Sequence, residues 1–525
     1  MRKIIHRFWA ILFIFSLAII IGYTNATISS PESNTTSKLE RPKQTNDGWE
    51  TTSLQEADID SAMILKVLGK IHSNTYENIH SLLIVKNGYL AFEKYFPGYA
   101  FKYDASRFRG KLTDYDANTL HNMASVTKSI TGLLVGISLD QGIINDVNDK
   151  VIDYLPGYNS MIDSTLYRIT LHHLLNMTSG LEWNEQDVFY SEVENDIIQL
   201  FMVSDPMSYI LSKPVIHEPG RYWYYNGGGT NMLGEIIHIA SGETLVEFCK
   251  EFLFSPLGIA DYEWEYINPD IVYASGNIKL RPRDMAKLGH LVLKDGVWND
   301  QQIVSSEWIQ NMVKTQWTFS DTQGYGYHWW LRIFQLGSFS IESYYASGWG
   351  GQFIYVFPSL EAIVVLTGGN YDRRSPDIEI LFRYLLPAMI PDYNVQLKGN
   401  DEIEFARIQK EAPITENISL VEPSIDVKSN IKALSGQWFG RWDYSTASQL
   451  VVENINIKKA KADIIYSFSG YNTLRKKADI IASGQIKFMI GDAELTYELD
   501  ASDDTLIGYY RMGQSVSKIV MKRRN

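Results

Sequence analysis

Residues 121–142, HNMASVTKSITGLLVGISLDQG, place a serine and a lysine three positions apart at the start of an apolar stretch. If a helix begins near Ser125, residues i and i+3 share a face, so the Lys128 amine can reach the Ser125 hydroxyl. Serine is a weak nucleophile until a neighbouring base takes its proton, and burial lowers the pKa of a lysine amine. The first N–H groups of such a helix can also stabilise an oxyanion. A Ser-x-x-Lys tetrad arises by chance in most chains of this length, so its surroundings must decide.

The composition describes an acidic chain that can form large hydrophobic cores. Of the 525 residues, 45% are hydrophobic and 13% are aromatic, which argues against disorder, and the length predicts two domains. The net charge of −13 argues against a nucleic-acid partner, because phosphate binding needs a basic surface. The single cysteine, Cys249, excludes an internal disulfide, and its amphipathic surroundings predict a buried structural thiol.

The N-terminus has the pattern of an export signal. A basic start is followed by an uncharged apolar run at residues 8–23, which fits the core of a signal peptide better than a membrane span of about 20 residues. Residues 1–26 are therefore predicted to be a signal peptide, with an uncleaved N-terminal membrane anchor as the alternative. In both cases the protein is expected to be exported, as a periplasmic, secreted or membrane-anchored protein that faces outside. Residues 27–48 are polar and are interpreted as a flexible tether.

The rest of the chain divides into a mixed region and an all-β region. In residues 49–392, two apolar runs around Asn87-Gly88 predict a hairpin, helical stretches follow, and a second strand pair closes the region. Strands at both ends predict one sheet with a helical insert. Residues 393–432 are interpreted as a linker. Short alternating runs in residues 433–525 predict an accessory antiparallel β domain, which contains no histidine and no pair of nucleophile and base.

Further segments follow the Ser-x-x-Lys tetrad in the order of one enzyme family. They are DVNDKVIDYLPGY, ITLHHLLNMTSGL, EPGRYWYYNGGGTNMLGEIIHIASG, KLRPRDMAKLGHLVLKDGVW and ASGWGGQFIYVFPSLEAIVVLTGG. Through them, residues 70–390 resemble the serine beta-lactamase-related family, the group of class C beta-lactamases, DD-peptidases and esterases. The resemblance implies an α+β fold of the beta-lactamase/transpeptidase type, with an antiparallel sheet flanked by helices and an all-helical lobe. The C-terminal all-β domain lies outside it.

The resemblance implies a serine hydrolase that needs neither a metal nor an organic cofactor. The first family motif, Ser-x-x-Lys, falls on Ser125 and Lys128. Ser125 would attack the carbonyl of a small ester, amide or peptide, and water would hydrolyse the acyl-enzyme. The backbone amides of Ser125 and Trp349 would form the oxyanion hole.

The second family motif, Tyr-x-Asn or Tyr-x-Ser, has two possible registers. A literal match begins at Tyr224, but counting from the Pro-Gly upstream and from the Leu-Gly downstream both place the family tyrosine at Tyr225. Tyr225 is therefore predicted to carry protons together with Lys128. The third motif position is then Gly227. Either Asn226 supplies the missing amide to the substrate, or the site lacks this amide.

The third family motif departs from its pattern. It is Lys-Thr-Gly in beta-lactamases, and here it falls on Ala346-Ser347-Gly348, with Gly348 at the substrate-binding strand edge. Without the cation, recognition of a substrate carboxylate is in doubt, so esterase or peptidase-like activity ranks above true beta-lactamase activity. A beta-lactamase or penicillin-binding enzyme stays one alternative. A non-catalytic cell-surface binding protein with a site degenerate at Gly227 and Ala346 stays the other. His328 is interpreted either as lining the cleft or as packed in the core.

Overall fold

The computed structural model describes residues 39–161, 165–336, 339–391, 405–406, 408–424, 427–442, 446–468, 473–481, 484–500, 504–512 and 515–524. The predicted signal peptide or anchor, most of the tether and part of the linker lie outside these residues, so the domain boundaries stay predictions. Within the described residues, no helix combines the length and the apolar character needed to cross a membrane. The apolar run at residues 8–23 is not among them.

Eight antiparallel strands form a central sheet whose members come from both ends of the mixed region. In spatial order the strands are Trp317–Ser320, Gln323–Tyr325, Trp330–Leu336, Phe339–Gly348, Gln352–Phe357, Ala362–Gly368, Ile79–Lys86 and Tyr89–Tyr95. The first hairpin turns at Asn87 and Gly88, which both have positive φ, as an Asn-Gly turn requires. Ile79–Lys86 is buried along its whole length and pairs with Ala362–Gly368, so the last strand lies beside the first.

Helices and short strand pairs fill the chain around this sheet. The helices are Ser61–His72, Val126–Asp140, Leu171–Leu175, Asp196–Leu200, Pro206–Leu211, Gly227–Ser241, Leu245–Cys249, Pro282–Leu293, Ser306–Met312, Asp377–Ile380, Leu386–Met389 and Ser429–Lys432. The short pairs are Pro97–Phe101 with Arg109–Asp114, His121–Asn122 with Lys279–Leu280, Tyr266–Asn268 with Ile271–Val272, and Val297–Trp298 with Gln301–Gln302. The predicted α+β fold, with a sheet flanked by helices and a helical lobe, is confirmed.

Two helices carry the candidate site and contact each other inside the core. We call Val126–Asp140 the Ser125 helix and Gly227–Ser241 the Tyr225 helix, after the residues that precede them. Both are buried over most of their length, which fits their largely apolar sequences. The Ser125 helix also contacts the strand Phe339–Gly348, so three elements that are distant in sequence meet at one place.

The single cysteine lies in the same core. Cys249 ends the helix Leu245–Cys249 and has no exposed surface, as predicted for a structural thiol. Burial raises the pKa of this thiol well above its ordinary value.

The C-terminal region forms a closed barrel of eight antiparallel strands. They are Gly436–Trp442, Thr446–Asn456, Lys461–Phe468, Leu474–Ile480, Ile486–Ile490, Ala493–Asp500, Thr505–Met512 and Ser515–Arg523. The last strand pairs with the first, so no sheet edge is left open. Large side chains such as Trp438, Tyr466 and Tyr497 fill the interior. The predicted antiparallel β fold of this region is confirmed.

A buried group of charges joins the barrel to the mixed region. Glu379 accepts hydrogen bonds from the Tyr76 hydroxyl at 3.0 Å and from Arg383 at 3.2 Å, and it also pairs with Lys518 of the barrel. Arg383 lies 3.8 Å from Asp500, also of the barrel. We call these five residues the Glu379 network.

Candidate active site

A strained turn presents Ser125 at the start of its helix. Ala124, the residue before it, has a φ of 44°, in the left-handed region that residues other than glycine rarely adopt. The Ala124 amide donates to Asn122 Oδ1 at 2.7 Å, and the Ala124 carbonyl accepts from the Thr127 hydroxyl at 2.6 Å. Ser125 is the N-cap residue but makes no side-chain capping bond, so its hydroxyl is left for other contacts.

The Lys128 amine reaches the Ser125 hydroxyl, as the i, i+3 spacing predicts. Lys128 Nζ lies 3.2 Å from Ser125 Oγ and donates to the Ser275 carbonyl at 2.9 Å. The lysine side chain is 2% exposed, and the Glu185 carboxylate lies 3.7 Å from its Nζ. The buried amine therefore has a nucleophile on one side and a carboxylate on the other.

The structure brings Tyr225, and not Tyr224, to this lysine. Lys128 Nζ lies over the Tyr225 ring, 4.7 Å from its centroid, and Tyr225 is buried. Tyr224 points away and donates its hydroxyl to Asp187 at 2.5 Å. The geometry agrees with the register counted from both sides of the motif, because neighbouring side chains on an extended segment point in different directions. The proton-carrying role of Tyr225 stays a prediction.

Asn226 caps the Tyr225 helix. Its Oδ1 accepts a hydrogen bond from the Gly229 amide at 2.9 Å, which is the usual contact of an N-cap asparagine. Its backbone amide contacts Met177 Sδ at 3.3 Å. The helix thus uses the amide oxygen that was predicted to be available to a substrate. Within the described residues Asn226 Nδ2 has no hydrogen-bond partner, and its contact with substrate stays a prediction.

Glu185 is a residue of the site that sequence reasoning missed. Its Oε2 accepts hydrogen bonds from the Gly227 amide at 2.6 Å and from the Trp183 indole at 2.9 Å. Its Oε1 accepts from the Tyr190 hydroxyl at 3.0 Å and faces Lys128. The only sequence signal was an acidic residue four positions after the segment ITLHHLLNMTSGL, among aromatic neighbours.

The strand edge predicted to bind substrate approaches the turn that carries Ser125. A Cβ atom placed on Gly348 would lie 2.2 Å from the Met123 carbonyl oxygen, so only glycine allows this approach. Ala346 has no exposed surface and belongs to the hydrophobic core. Ser125 and Trp349 border the same cavity, and within the described residues neither backbone amide has a recorded hydrogen-bond partner. An oxyanion hole at these amides stays a prediction.

A cavity of about 700 Å³ opens in front of Ser125. It is lined by Phe101, Tyr103, Asn122, Ala124, Ser125, Tyr190, Ile197, Ile198, Phe201, Met202, Glu263, Trp264, Glu265, Tyr273, Gly276, Asn277, Lys279 and Trp349. Most of these side chains are aromatic or aliphatic. The one cation among these lining residues, Lys279, is paired with Glu263 at 2.6 Å. The cavity therefore presents apolar walls and a net negative charge.

His328 packs behind the site and not in the cavity. It is buried, its Nδ1 lies 3.0 Å from the Lys128 carbonyl, and its Nε2 lies 3.3 Å from the Thr230 hydroxyl. Burial, with a smaller contribution from the Lys128 charge, lowers the pKa of His328 to about 3. Of its two interpretations, core packing is therefore right. In the described part of the chain, no group of three or more His, Cys, Asp or Glu side chains is arranged to hold a metal ion.

Comparisons with known proteins agree with this fold. Residues 80–381 match the family described as Beta-lactamase. "Penicillin-binding protein 4*" of Bacillus subtilis (strain 168) is 27% identical over 208 residues, which cover 36% of this chain and 42% of that protein. "Putative D-alanyl-D-alanine carboxypeptidase" of Salmonella paratyphi B is 26% identical over 223 residues, which cover 40% of this chain and 49% of that protein. The chain thus spans about half the length of these curated relatives.

A solved structure supports the same fold. "Putative 6-aminohexanoate-dimer hydrolase from Bacillus anthracis" superposes with a TM-score of 0.51 and 20% identity, over 69% of this chain and 91% of that one. At this level of identity the similarity is one of fold.

Proposed function

Because this chain belongs to the Beta-lactamase family, whose pattern covers residues 80–381, we propose that it is a serine hydrolase that forms an acyl-enzyme on Ser125. The observation that carries the proposal is the 3.2 Å contact between Lys128 Nζ and Ser125 Oγ at the wall of a large cavity. Within the described residues, Lys128 is the one basic side chain within hydrogen-bond distance of that hydroxyl. A nucleophile beside its base, facing a cavity, is the arrangement that covalent acyl transfer needs.

The reaction proceeds in two acyl transfers. Ser125 Oγ attacks the carbonyl carbon of an ester or amide, and its proton passes to the pair formed by Lys128 and Tyr225. The proton then moves to the leaving alcohol or amine as the bond from that group to the carbonyl carbon breaks. Water attacks the acyl-enzyme in the same way and releases the acid and Ser125. The amides of Ser125 and Trp349 hold the oxyanion in both steps.

The cavity favours esters or amides with an uncharged, apolar acyl group. Its walls are mostly aromatic and aliphatic, and apolar walls bind acyl chains by removing them from water. Lys279 is already paired with Glu263, and Ala346 stands where the family motif has a cation. A substrate carboxylate would therefore meet two glutamates and no unpaired cation among the lining residues, so esters rank above penicillins.

The second candidate is a D-peptidase or penicillin-binding activity. It is favoured by the names of two relatives, a penicillin-binding protein and a D-alanyl-D-alanine carboxypeptidase. Both kinds of substrate carry a carboxylate, which the charges of this cavity disfavour. Turnover of a penicillin or of D-alanyl-D-alanine faster than of any neutral ester would establish this candidate and reject the first.

A fluorophosphonate probe on the full chain tests the proposed chemistry. We expect one adduct, mapped by mass spectrometry to Ser125, and no adduct in Ser125→Ala. A series of p-nitrophenyl esters of increasing acyl length then tests the cavity, and we expect kcat/KM to rise with length until the cavity is filled. A folded protein that neither reacts with the probe nor hydrolyses any ester or peptide would establish the non-catalytic binding protein instead.

We propose further that the protein works outside the cytoplasm. The basic start and the apolar run at residues 8–23 support export. Sequencing the N-terminus of the mature protein after expression with its own leader tests this. A mature chain that begins at Thr27 supports a signal peptide, an intact N-terminus in the membrane fraction supports an anchor, and an intact chain in the cytosol contradicts export.

A further inference from the structure

The space that a side chain at position 227 would need is filled by three other residues. Gly227 lies in the first turn of a helix and does not have the positive φ that would demand glycine. A Cβ atom placed there would lie 2.7 Å from Ile197 Cδ1, 2.9 Å from Glu185 Oε2 and 3.2 Å from Ser275 Oγ. A side chain at 227 would therefore meet Ile197 first and the carboxylate of Glu185 next, so it fits only if both of them move.

The Glu185 carboxylate is held firmly in that space. Its side chain is 1% exposed, and a buried carboxylate is stable only with compensating partners. The Gly227 amide and the Trp183 indole fix Oε2, and the Tyr190 hydroxyl fixes Oε1. Two of these donors lie within five residues of Glu185 and the third starts the Tyr225 helix, and together they hold the carboxylate with Oε1 3.7 Å from Lys128 Nζ.

This position gives Glu185 a task at the lysine. We propose that Glu185 is the positioning residue of Lys128 and takes the place of the family side chain at position 227. The inference rests on the proposed acyl transfer at Ser125. Lys128 Nζ is held by the Ser275 carbonyl at 2.9 Å, by the Tyr225 ring and by Glu185, and these contacts direct it at Ser125 Oγ.

The charge of Glu185 acts mainly in the transition state. When Lys128 takes the proton from Ser125, an ammonium forms in a buried place, and a fixed carboxylate stabilises that new charge without reorganising. An interaction that strengthens as the proton moves raises kcat, whereas an interaction present throughout changes KM. Removing the charge should therefore lower kcat and leave KM nearly unchanged.

Glu185→Gln is the first test, in the full chain and with the best p-nitrophenyl ester. The amide oxygen of glutamine can still accept from Gly227 and Trp183, so the substitution removes the charge and keeps the shape. We expect kcat to fall about 100-fold with KM within about threefold, as for loss of a positioning contact. The matched control is Glu182→Gln, an exposed glutamate three residues away, which should keep both constants. A fall in kcat of less than about tenfold, with the control unchanged, would overturn the proposal.

The second test removes the side chain at position 185 and introduces one at position 227. Glu185→Ala opens the space beside Lys128, and Glu185→Ala/Gly227→Asn refills it with the amide that the family motif has. We expect Gly227→Asn alone to lose activity, because its side chain meets both Glu185 and Ile197. In the double variant only the flexible end of Ile197 must shift, so we expect it to recover at least about tenfold over Glu185→Ala. If the kcat of the double variant is no higher than that of Glu185→Ala, whether or not the double variant folds, side chains at positions 185 and 227 do not share one space.

Failure of the proposed acyl transfer and failure of the role of Glu185 give different experimental results. If the unaltered protein neither hydrolyses esters nor reacts with fluorophosphonate at Ser125, the proposed function itself fails. If the unaltered protein is active and both Glu185 tests give the contrary result, only the role of Glu185 fails. Melting temperatures of all variants, measured by circular dichroism, separate loss of activity from loss of fold.

Discussion

Two buried glutamates of this protein share two kinds of partner, a tyrosine hydroxyl and a lysine, and lie in very different places. Glu185 accepts a hydrogen bond from the Tyr190 hydroxyl at 3.0 Å and faces Lys128 behind the cavity wall. Glu379 also accepts a hydrogen bond from a tyrosine hydroxyl, that of Tyr76, at 3.0 Å, and it forms an ion pair with Lys518 of the barrel. The first group of charges ends at a nucleophile, whereas the second links two parts of the fold.

The difference teaches that a buried ion pair has no function by itself. Near Ser125 the charges lie directly behind the wall of a cavity of about 700 Å³, because Ser125 and Tyr190, which contact Lys128 and Glu185, line it. They can therefore act on a substrate through Ser125. In the Glu379 network the charged side chains contact one another across the boundary between the helices and the barrel. They hold the barrel against the helices. We therefore expect substitutions in the first group to change rate more than stability, and substitutions in the second to do the reverse.

Removing the nucleophile should give the largest effect. In Ser125→Ala the attacking oxygen is absent, and we expect kcat to fall by on the order of 10⁴ or more. Since Ser125 makes no capping bond, the melting temperature should stay close to that of the unaltered protein. Ester hydrolysis and thermal unfolding measure the two quantities. Hydrolysis retained in Ser125→Ala would move the nucleophile elsewhere.

The two adjacent tyrosines should differ strongly. Tyr225→Phe removes the hydroxyl that carries protons and should lower kcat by on the order of 10²–10⁴, with a smaller effect on KM. Tyr224→Phe removes a hydroxyl that contacts Asp187 away from Lys128, so its kcat should change little. Steady-state kinetics of both variants decide this. A severe loss at Tyr224 with a mild one at Tyr225 would reverse the register of the motif.

The Glu379 network should show its effect in stability. Glu379→Ala removes the buried carboxylate that pairs with Arg383 and Lys518 and leaves the buried Tyr76 hydroxyl without this acceptor. We expect it to cost about 3 kcal/mol of unfolding free energy. At 25 °C the kcat should stay within about twofold, because no member of the network lines the cavity or is among the described partners of Ser125 and Lys128. Asp479→Ala, which breaks an exposed pair with Lys461, is the control and should cost less than about 1 kcal/mol. Urea unfolding measures the unfolding free energy of both variants. If both lose the same amount, the network has no special structural role.

A fall in pH should lower the unfolding free energy through His328, a buried histidine of the mixed region. This is the smallest of the four expected effects. The pKa of His328 is lowered from 6.5 to about 3, so the folded protein keeps it neutral while the unfolded chain binds a proton below pH 6.5. Its contribution to stability is complete above pH 6.5 and is lost as the pH falls below that value.

His328→Asn tests this titration. Asparagine tolerates the φ of 57° at this position and can still donate to the Lys128 carbonyl. We expect the unaltered protein to lose about 1 kcal/mol more unfolding free energy than the variant between pH 6 and pH 5. The barrel region, residues 433–525, contains no histidine, so this dependence belongs to the catalytic half. Parallel curves of unfolding free energy against pH would show that His328 does not titrate on unfolding.

Local patterns predicted the parts of the molecule that depend on neighbouring residues. The Asn87-Gly88 pair predicted the first hairpin, and the i, i+3 spacing predicted the contact between Ser125 and Lys128. Counting along the motif gave Tyr225, the tyrosine that the structure brings to the lysine. Asn226 was expected at the substrate, although an asparagine directly before a helix is a common N-cap.

Contacts between distant residues were beyond those patterns. Glu185 and Gly227 are 42 positions apart, and nothing in either segment indicates that one fills the space of the other. The same holds for Glu379 and Lys518, which are 139 positions apart. Such pairs follow from the three-dimensional packing of the helices and the barrel, which periodicity does not encode.

The buried thiol of Cys249 makes the protein suited to site-specific fluorescent labelling. Its side chain has no exposed surface and its pKa is raised, so the reactive thiolate is scarce at neutral pH. A maleimide dye therefore leaves the native chain unlabelled, and one new cysteine receives all of the dye. Met202, which is 64% exposed and borders the cavity, offers a place for it. A dye there would report the arrival of a substrate in Ser125→Ala, where no turnover follows.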